Sequence, residues 1–145
     1  MSTIDALPAG QDGPVITFNN DDPNGASPFR PVTTETAKMV EAAVIESGVD
    51  QVNINSTSGG GHSETSRHYQ KKAVDINEVN GEKVLKQGSS PAVKDLQDAF
   101  SKEDNIRENF GPSENTKKTT PGGKENQVPS VAKQHRNHIH VSGQQ

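Results

Sequence analysis

The apolar residues of this chain fall in three short groups, and whatever it folds into has to be built from them. Val40, Val44, Ile45, Val49, Val52 and Ile54 form the first group; Val74, Ile76, Val79, Val84 and Leu85 form the second; Val93, Leu96 and Phe100 form the third. Only 28% of the 145 residues are hydrophobic and 3% are aromatic, a balance that leans toward disorder when apolar residues are dispersed. Clustering reverses that expectation. A buried large aliphatic or Phe side chain contributes about 1.5–3 kcal/mol, so roughly twenty of them offset the chain entropy of one small domain. The sequence predicts a modest core with long irregular loops, and its length leaves little room for a second domain.

Several classes of function are excluded by what the chain lacks. It has no Cys, so a disulfide framework, a thiolate zinc site and a cysteine nucleophile are all ruled out. No apolar run approaches the ~18 residues of a membrane span, so membrane insertion is not expected. The net charge is -4, with Lys and Arg spread along the chain, which argues against a nucleic-acid partner. Residues 1–8 show neither a basic n-region nor an apolar h-region, so no secretory signal is expected there.

Residues 1–32 read as an irregular lead-in, with a dense run of turn formers at 19–25 and a short edge strand from Val15, Ile16 and Phe18. Residues 33–145 read as a single domain. A helix should start near Thr33 or Thr34, with a hydroxyl cap, Glu35 in the first turn and Gly48 at the end. Its apolar stripe is Ala37, Val40, Val44 and Ile45. Residues 49–54 alternate as a half-buried strand, and 56–66 are a Gly-rich loop. A strand at 73–77 leads through Asn80-Gly81 into a hairpin. A second helix should begin near Ser90, with Pro91 in its first turn and Val93, Leu96 and Phe100 on one face. The segment 105–110 is ambiguous, 111–129 reads as a surface excursion, and 138–141 is the last strand. The expected class is α+β: a small, mainly antiparallel sheet with two helices and long loops.

The five histidines are segregated: His62 and His68 in mid-chain, then His135, His138 and His140 near the end. Both groups adjoin an expected strand. Asp75 lies between Val74 and Ile76, so it points away from its apolar neighbours and must be exposed, paired or metal-bound. His138 and His140 are two apart and share one strand face. Two imidazoles and a carboxylate, with a position left for water, form the ligand set of a catalytic zinc site, although such sets accept other divalent ions. Zinc in that setting acidifies water and polarises a carbonyl. The plainer alternatives are that Asp75 pairs with Lys71, Lys72 or Arg67 at the surface, worth about 0–1 kcal/mol, and that His62 is simply solvated.

The run Ser66-Arg67-His68-Tyr69-Gln70-Lys71-Lys72-Ala73-Val74-Asp75-Ile76 resembles the S-x-H-x-x-G-x-A-x-D motif of the zinc D-Ala-D-Ala carboxypeptidase family. That family shares the fold of the lysostaphin, D-Ala-D-Ala peptidase and hedgehog group. His138-Ile139-His140 resembles its second element, H-x-H on the final core strand. The resemblance spans residues 66–140, about half the chain, with the two elements in the family order. It implies that His68, Asp75 and His140 bind Zn2+, that Ser66 holds the loop presenting His68, and that Ser66 and Arg67 lie on the substrate side.

Three departures shape the expected activity. Lys71 stands at the motif glycine. No Glu precedes the last ligand as E-x-x-H; Asn137 has that place, whereas His135-Arg136-Asn137-His138 gives the H-x-x-H-x-H of the penicillin-insensitive murein endopeptidase type. His138 or His135 is then the candidate for moving the proton. The arginine that clamps a substrate carboxylate in many relatives is missing from Ser56-Thr57-Ser58-Gly59-Gly60, which favours an endopeptidase, unless Arg30, Arg67 or Arg136 substitutes.

The expectation is a zinc metallopeptidase that hydrolyses a peptidoglycan amide next to a D-amino acid, as a D,D-endopeptidase or D,D-carboxypeptidase. Without a leader it would be made in the cytoplasm and reach the cell wall in the periplasm through lysis, a virion or a secretion system. Such a role implies a partner that delivers the protein or confers immunity to it. The alternatives are a catalytically silent zinc-binding module of the same fold and a structural or metal-scavenging protein with a coincidental motif.

Overall fold

The computed structural model describes residues 14–18, 32–57 and 71–145. Its strands are β1 (Val15–Phe18), β2 (Gln51–Ser56), β3 (Ala73–Val79), β4 (Glu82–Lys83), β5 (Ile106–Phe110), β6 (Asn115–Lys117), β7 (Asn126–Gln127) and β8 (Ile139–Gly143). Three α-helices, α1 (Thr34–Ser47), α2 (Val84–Gln87) and α3 (Pro91–Ser101), and a 3-10 helix at Pro129–His135 complete the described elements.

Both longer helices begin and end where their caps dictate. The Thr33 hydroxyl accepts from the Thr36 N–H at 3.3 Å and opens α1; Gly48, at φ 76°, ends it in the left-handed conformation. Ser90 caps α3 in the same way, through the Val93 N–H, and Pro91 fills the first turn. Val93, Leu96 and Phe100 are fully buried on one face of α3, while α1 buries Ala37, Met39, Val40, Ala43 and Val44. Ile45 is not part of that stripe. It lies one residue past Val44, a turn of about 100° around the helix, and is 63% exposed.

The strands form one sheet in the order β1-β2-β3-β8-β5-β6-β7, with β4 paired to β3. It is antiparallel except for the β1–β2 pair, which is parallel and places β1 at an edge. Asn80 (φ 56°) and Gly81 (φ 77°) both take positive φ, so the β3–β4 connection is a tight two-residue hairpin. The ladder is cut short because Val84 turns into α2. Leu85, grouped by sequence with the core, is instead 62% exposed.

Three further segments take a form that the sequence pattern did not show. Residues 51–56 do not alternate: Asn53 is 4% exposed, because Thr17 Oγ1 donates to its Oδ1 at 2.7 Å and its Nδ2 donates to Asn77 Oδ1 at 2.8 Å. The ambiguous segment 105–110 contains β5. The excursion 111–129 carries β6 and β7, which prolong the sheet beyond β5. Of the expected loop at 56–66, residues 58–66 lie outside the described residues. Among the described residues, no helix is long and apolar enough to cross a membrane.

One hydrophobic cluster joins α1 and α3 to Val52, Ile54, Val74, Ile76, Ile139 and Val141 of the sheet. The alternate residues of β3 and β8 therefore project from the opposite face. Asp75 and His140 are among them.

Candidate functional site

Strand β8 lies between β3 and β5, and its register decides which side chains meet. Val74 is opposite Val141 and Ile76 opposite Ile139, which puts Asp75 directly opposite His140. Their side chains touch: His140 Nδ1 donates to Asp75 Oδ1 at 3.0 Å. On the other side of the imidazole, Nε2 donates to Glu108 Oε1 at 3.0 Å. The same Glu108 oxygen accepts from the Ser142 hydroxyl at 2.6 Å. Phe110, opposite His140 on β5, stacks on the ring with centroids 5.6 Å apart.

This arrangement holds His140 as an imidazolium between two carboxylates. Burial opposes the charged ring, but hydrogen bonds to Asp75 and Glu108 outweigh it and hold the His140 pKa up at about 9. Glu108 shows the complementary effect. Burial would raise it, and the hydrogen bonds from His140 and Ser142 bring it down to about 2.

The other two C-terminal histidines stand beside this pair. His138 donates from Nδ1 to Asn137 Oδ1 at 2.6 Å, and its Nε2 is 3.9 Å from Asp75 Oδ1. His135 ends the 3-10 helix, where its Nδ1–H donates to the Val131 carbonyl at 2.7 Å. Its ring centroid is 4.9 Å from that of His138 and 5.7 Å from that of His140, and it meets Phe110 edge-on. Burial lowers its pKa, which favours the neutral ring. With the proton on Nδ1, the lone pair is on Nε2.

The fold thus brings together Asp75, His135, His138 and His140, which the sequence had placed in two separate stretches. His62, Ser66, Arg67 and His68 lie outside the described residues. Among the described residues no group of three His, Asp or Glu side chains is disposed to hold a metal. Asp75 supplies an oxygen donor of the kind zinc takes, and His140 would supply a nitrogen donor on exchanging its Nδ1 proton for the metal. Behind the imidazole, Glu108 stands as a carboxylate does behind a ligating histidine. The donor chemistry fits zinc, with His68 as the expected third ligand.

Glu108 and Phe110 were missed by sequence reasoning. A strict period-two pattern would put both on the core face with Ile106, and a register shift between Ile106 and Glu108 turns them to the opposite face. No family model, curated protein or solved structure matches the chain.

Proposed function

We propose that this chain is a zinc-dependent peptidoglycan peptidase with the hedgehog and D-Ala-D-Ala peptidase type of fold, cutting an amide next to a D-amino acid. The observation that carries the reading is the direct opposition of Asp75 and His140 on β3 and β8. They belong to two motif elements 65 residues apart, and their donor atoms are 3.0 Å from each other. Lys71 adds support. It occupies the motif's glycine position and has a left-handed backbone, φ 64°, the conformation that glycine adopts most readily.

His68, Asp75 and His140 would hold the zinc, with Glu108 fixing the His140 ring from behind. Bound there, zinc supplies Lewis acidity toward an amide carbonyl and toward water. His135 takes the proton from the attacking water on Nε2 and hands it to the leaving amine. The Val131 carbonyl holds the tautomer that this requires, and burial keeps the ring neutral. His138, between Asn137 and Asp75, is the other candidate for that transfer. Ser66 and Arg67 are proposed on the substrate side. The setting is the bacterial cell wall, reached through lysis, a virion or a secretion system, with a delivery or immunity protein as partner.

A silent zinc-binding module of the same fold is the second reading. It is favoured by Asn137, an amide where many relatives carry a catalytic Glu, engaged here with His138. Digestion of purified sacculi by the zinc-loaded protein, with product analysis by mass spectrometry, separates the two. Loss of cross-linked dimers identifies an endopeptidase and release of D-Ala a carboxypeptidase, and both should vanish in His68→Ala and after chelation. Zinc bound at defined stoichiometry with intact sacculi supports the silent module.

A further inference from the structure

Strands β2 and β3 fall out of register twice, and the two irregularities cancel. Asn53 is opposite Glu78 and Ile54 is opposite Ile76, so Asn77 is an extra residue on β3. Ser56 is then opposite Asp75, so Asn55 is an extra residue on β2. A bulge of this kind leaves its extra residue out of the ladder and re-aims the side chain. Both asparagines line one cavity of about 240 Å³, together with Lys83, Leu85, Asn137 and His138. Asn77 sits where β8 and β4 share an edge of β3, since β8 pairs with residues up to Ile76 and β4 only from Glu78 onward.

The two amides are left in different states. Thr17 Oγ1 donates to Asn53 Oδ1 at 2.7 Å, and Asn53 Nδ2 donates to Asn77 Oδ1 at 2.8 Å. This relay occupies the Asn77 oxygen and leaves its Nδ2 protons without an acceptor among the described residues. Asn55 has no such support. Its Oδ1 is buried with no hydrogen-bond partner among the described residues. An acceptor in that position costs free energy until a donor reaches it. No carboxylate lines the cavity, and its one cation, Lys83, lies on the exposed strand β4.

We propose that this cavity holds one extended residue of a peptide by its main chain, through Asn55. In an extended strand, a residue's own N–H and C=O point to the same side. One carboxamide matches that pair, with Oδ1 accepting from the N–H and Nδ2 donating to the carbonyl. Asn77 Nδ2 is a further donor in the same cavity. This rests on the peptidase reading and adds to it the residue that positions the substrate. The link is His138, which lines the cavity and has its Nε2 3.9 Å from Asp75 Oδ1. Asn55 is thus a positioning residue that sets the substrate's register. It requires a donor, so an ester in place of the amide leaves Oδ1 unsatisfied.

The test is NMR titration of the metal-free full chain with N-acetyl-D-alanine methylamide and with its ester counterpart, O-acetyl-D-lactic methylamide. The two differ in one N–H, and neither is charged. The Asn55 Nδ2–H signals, assigned through bonds, should shift and saturate with the amide. The ester should bind about tenfold more weakly, as the loss of one donor to a buried acceptor implies. Asn55→Ala should lose that preference, with circular dichroism as the check on its fold; if it unfolds, the wild-type shifts and preference decide. Lys83→Gln, at an exposed side chain, should keep the preference. No shift at Asn55, equal binding of amide and ester, a preference unchanged in folded Asn55→Ala, or its loss in Lys83→Gln each overturns the subsite. Propionamide binding more tightly than the capped alanine overturns the main-chain assignment in favour of a side-chain carboxamide. Sacculus digestion by the zinc-loaded protein is scored separately. Sacculi cut by a protein without amide preference sink the subsite alone, whereas intact sacculi with the preference present sink the peptidase reading.

Discussion

Glu108 Oε1 and His140 Nε2 are 3.0 Å apart although the two residues are not opposed in the β5–β8 ladder. Glu108 faces Ser142, and His140 faces Phe110, so the contact is a diagonal one. It fixes the ring on the side away from Asp75, which leaves Nδ1 as the nitrogen that faces Asp75. Glu108→Ala should weaken zinc binding about 10–100-fold in competition with a chromophoric chelator, and Glu108→Gln, which can still accept from Nε2, by less. Wild-type affinity in the alanine variant would show that Glu108 does not position His140.

Acid–base titration of the same cluster should be visible in the stability of the metal-free protein. His140 is raised from 6.5 to about 9, so its stabilisation is complete below pH 6.5 and is lost as pH rises through about 9. Glu108 is lowered from 4.5 to about 2, so its stabilisation is complete above pH 4.5 and is lost as pH falls through about 2. The two shifts largely describe one interaction, and both are fully expressed only between about pH 4.5 and 6.5. Urea midpoints should therefore fall from about pH 6 to about pH 9.5 in wild type and fall less in His140→Gln. Equal slopes in the two proteins would contradict this.

Lys71 holds a left-handed backbone at φ 64°, and its carbonyl accepts from the Thr33 N–H at 2.9 Å. An L-residue in that region carries a penalty of about 1–2 kcal/mol, part of which glycine returns as extra entropy of the unfolded chain. Lys71→Gly should be about 0.5–1 kcal/mol more stable than wild type, and the β-branched Lys71→Val less stable, by urea unfolding. A glycine variant less stable than wild type would show that the lysine side chain contributes more than its backbone costs.

Gly111 abuts a buried amide. A Cβ there would lie 2.7 Å from Gln97 Oε1 and 2.9 Å from Gln97 Cδ. Gln97 cannot yield cheaply, because Oε1 accepts from the Ser113 and Glu114 N–H groups and Nε2 donates to Asn109 Oδ1 and the Glu114 carbonyl. Gly111→Ala should cost about 1–3 kcal/mol by thermal or urea unfolding. In a Gln97→Ala background, where the obstruction is gone, the added cost should shrink; full additivity would rule out this clash.

What the sequence made legible follows the range of the interactions involved. Helices α1 and α3 were readable because Thr33, Gly48, Ser90 and Pro91 act within one turn of the chain. Asp75 and His140 stood out because apolar neighbours on both sides assign them to one strand face. Gln97, Asn109 and Asn53 could not be assigned to the interior, since each is satisfied by a partner supplied by another element. Strands β6 and β7 span three and two residues with no apolar side chain, and only pairing to an existing edge creates them. Glu108 was hidden by the register shift that precedes it.

Because β8 separates β3 from β5, the sheet is two disconnected halves until β8 inserts between them. It also follows the other seven described strands in sequence, and the Asp75–His140 contact closes over 65 residues. A growing chain can form β1 through β4 early, yet it cannot bring these two side chains together until β8 has left the ribosome. The proposed metal centre is therefore switched on by completion of the fold. Chains clipped before β8 should lack the Asp75–His140 pair and, with it, the proposed zinc binding.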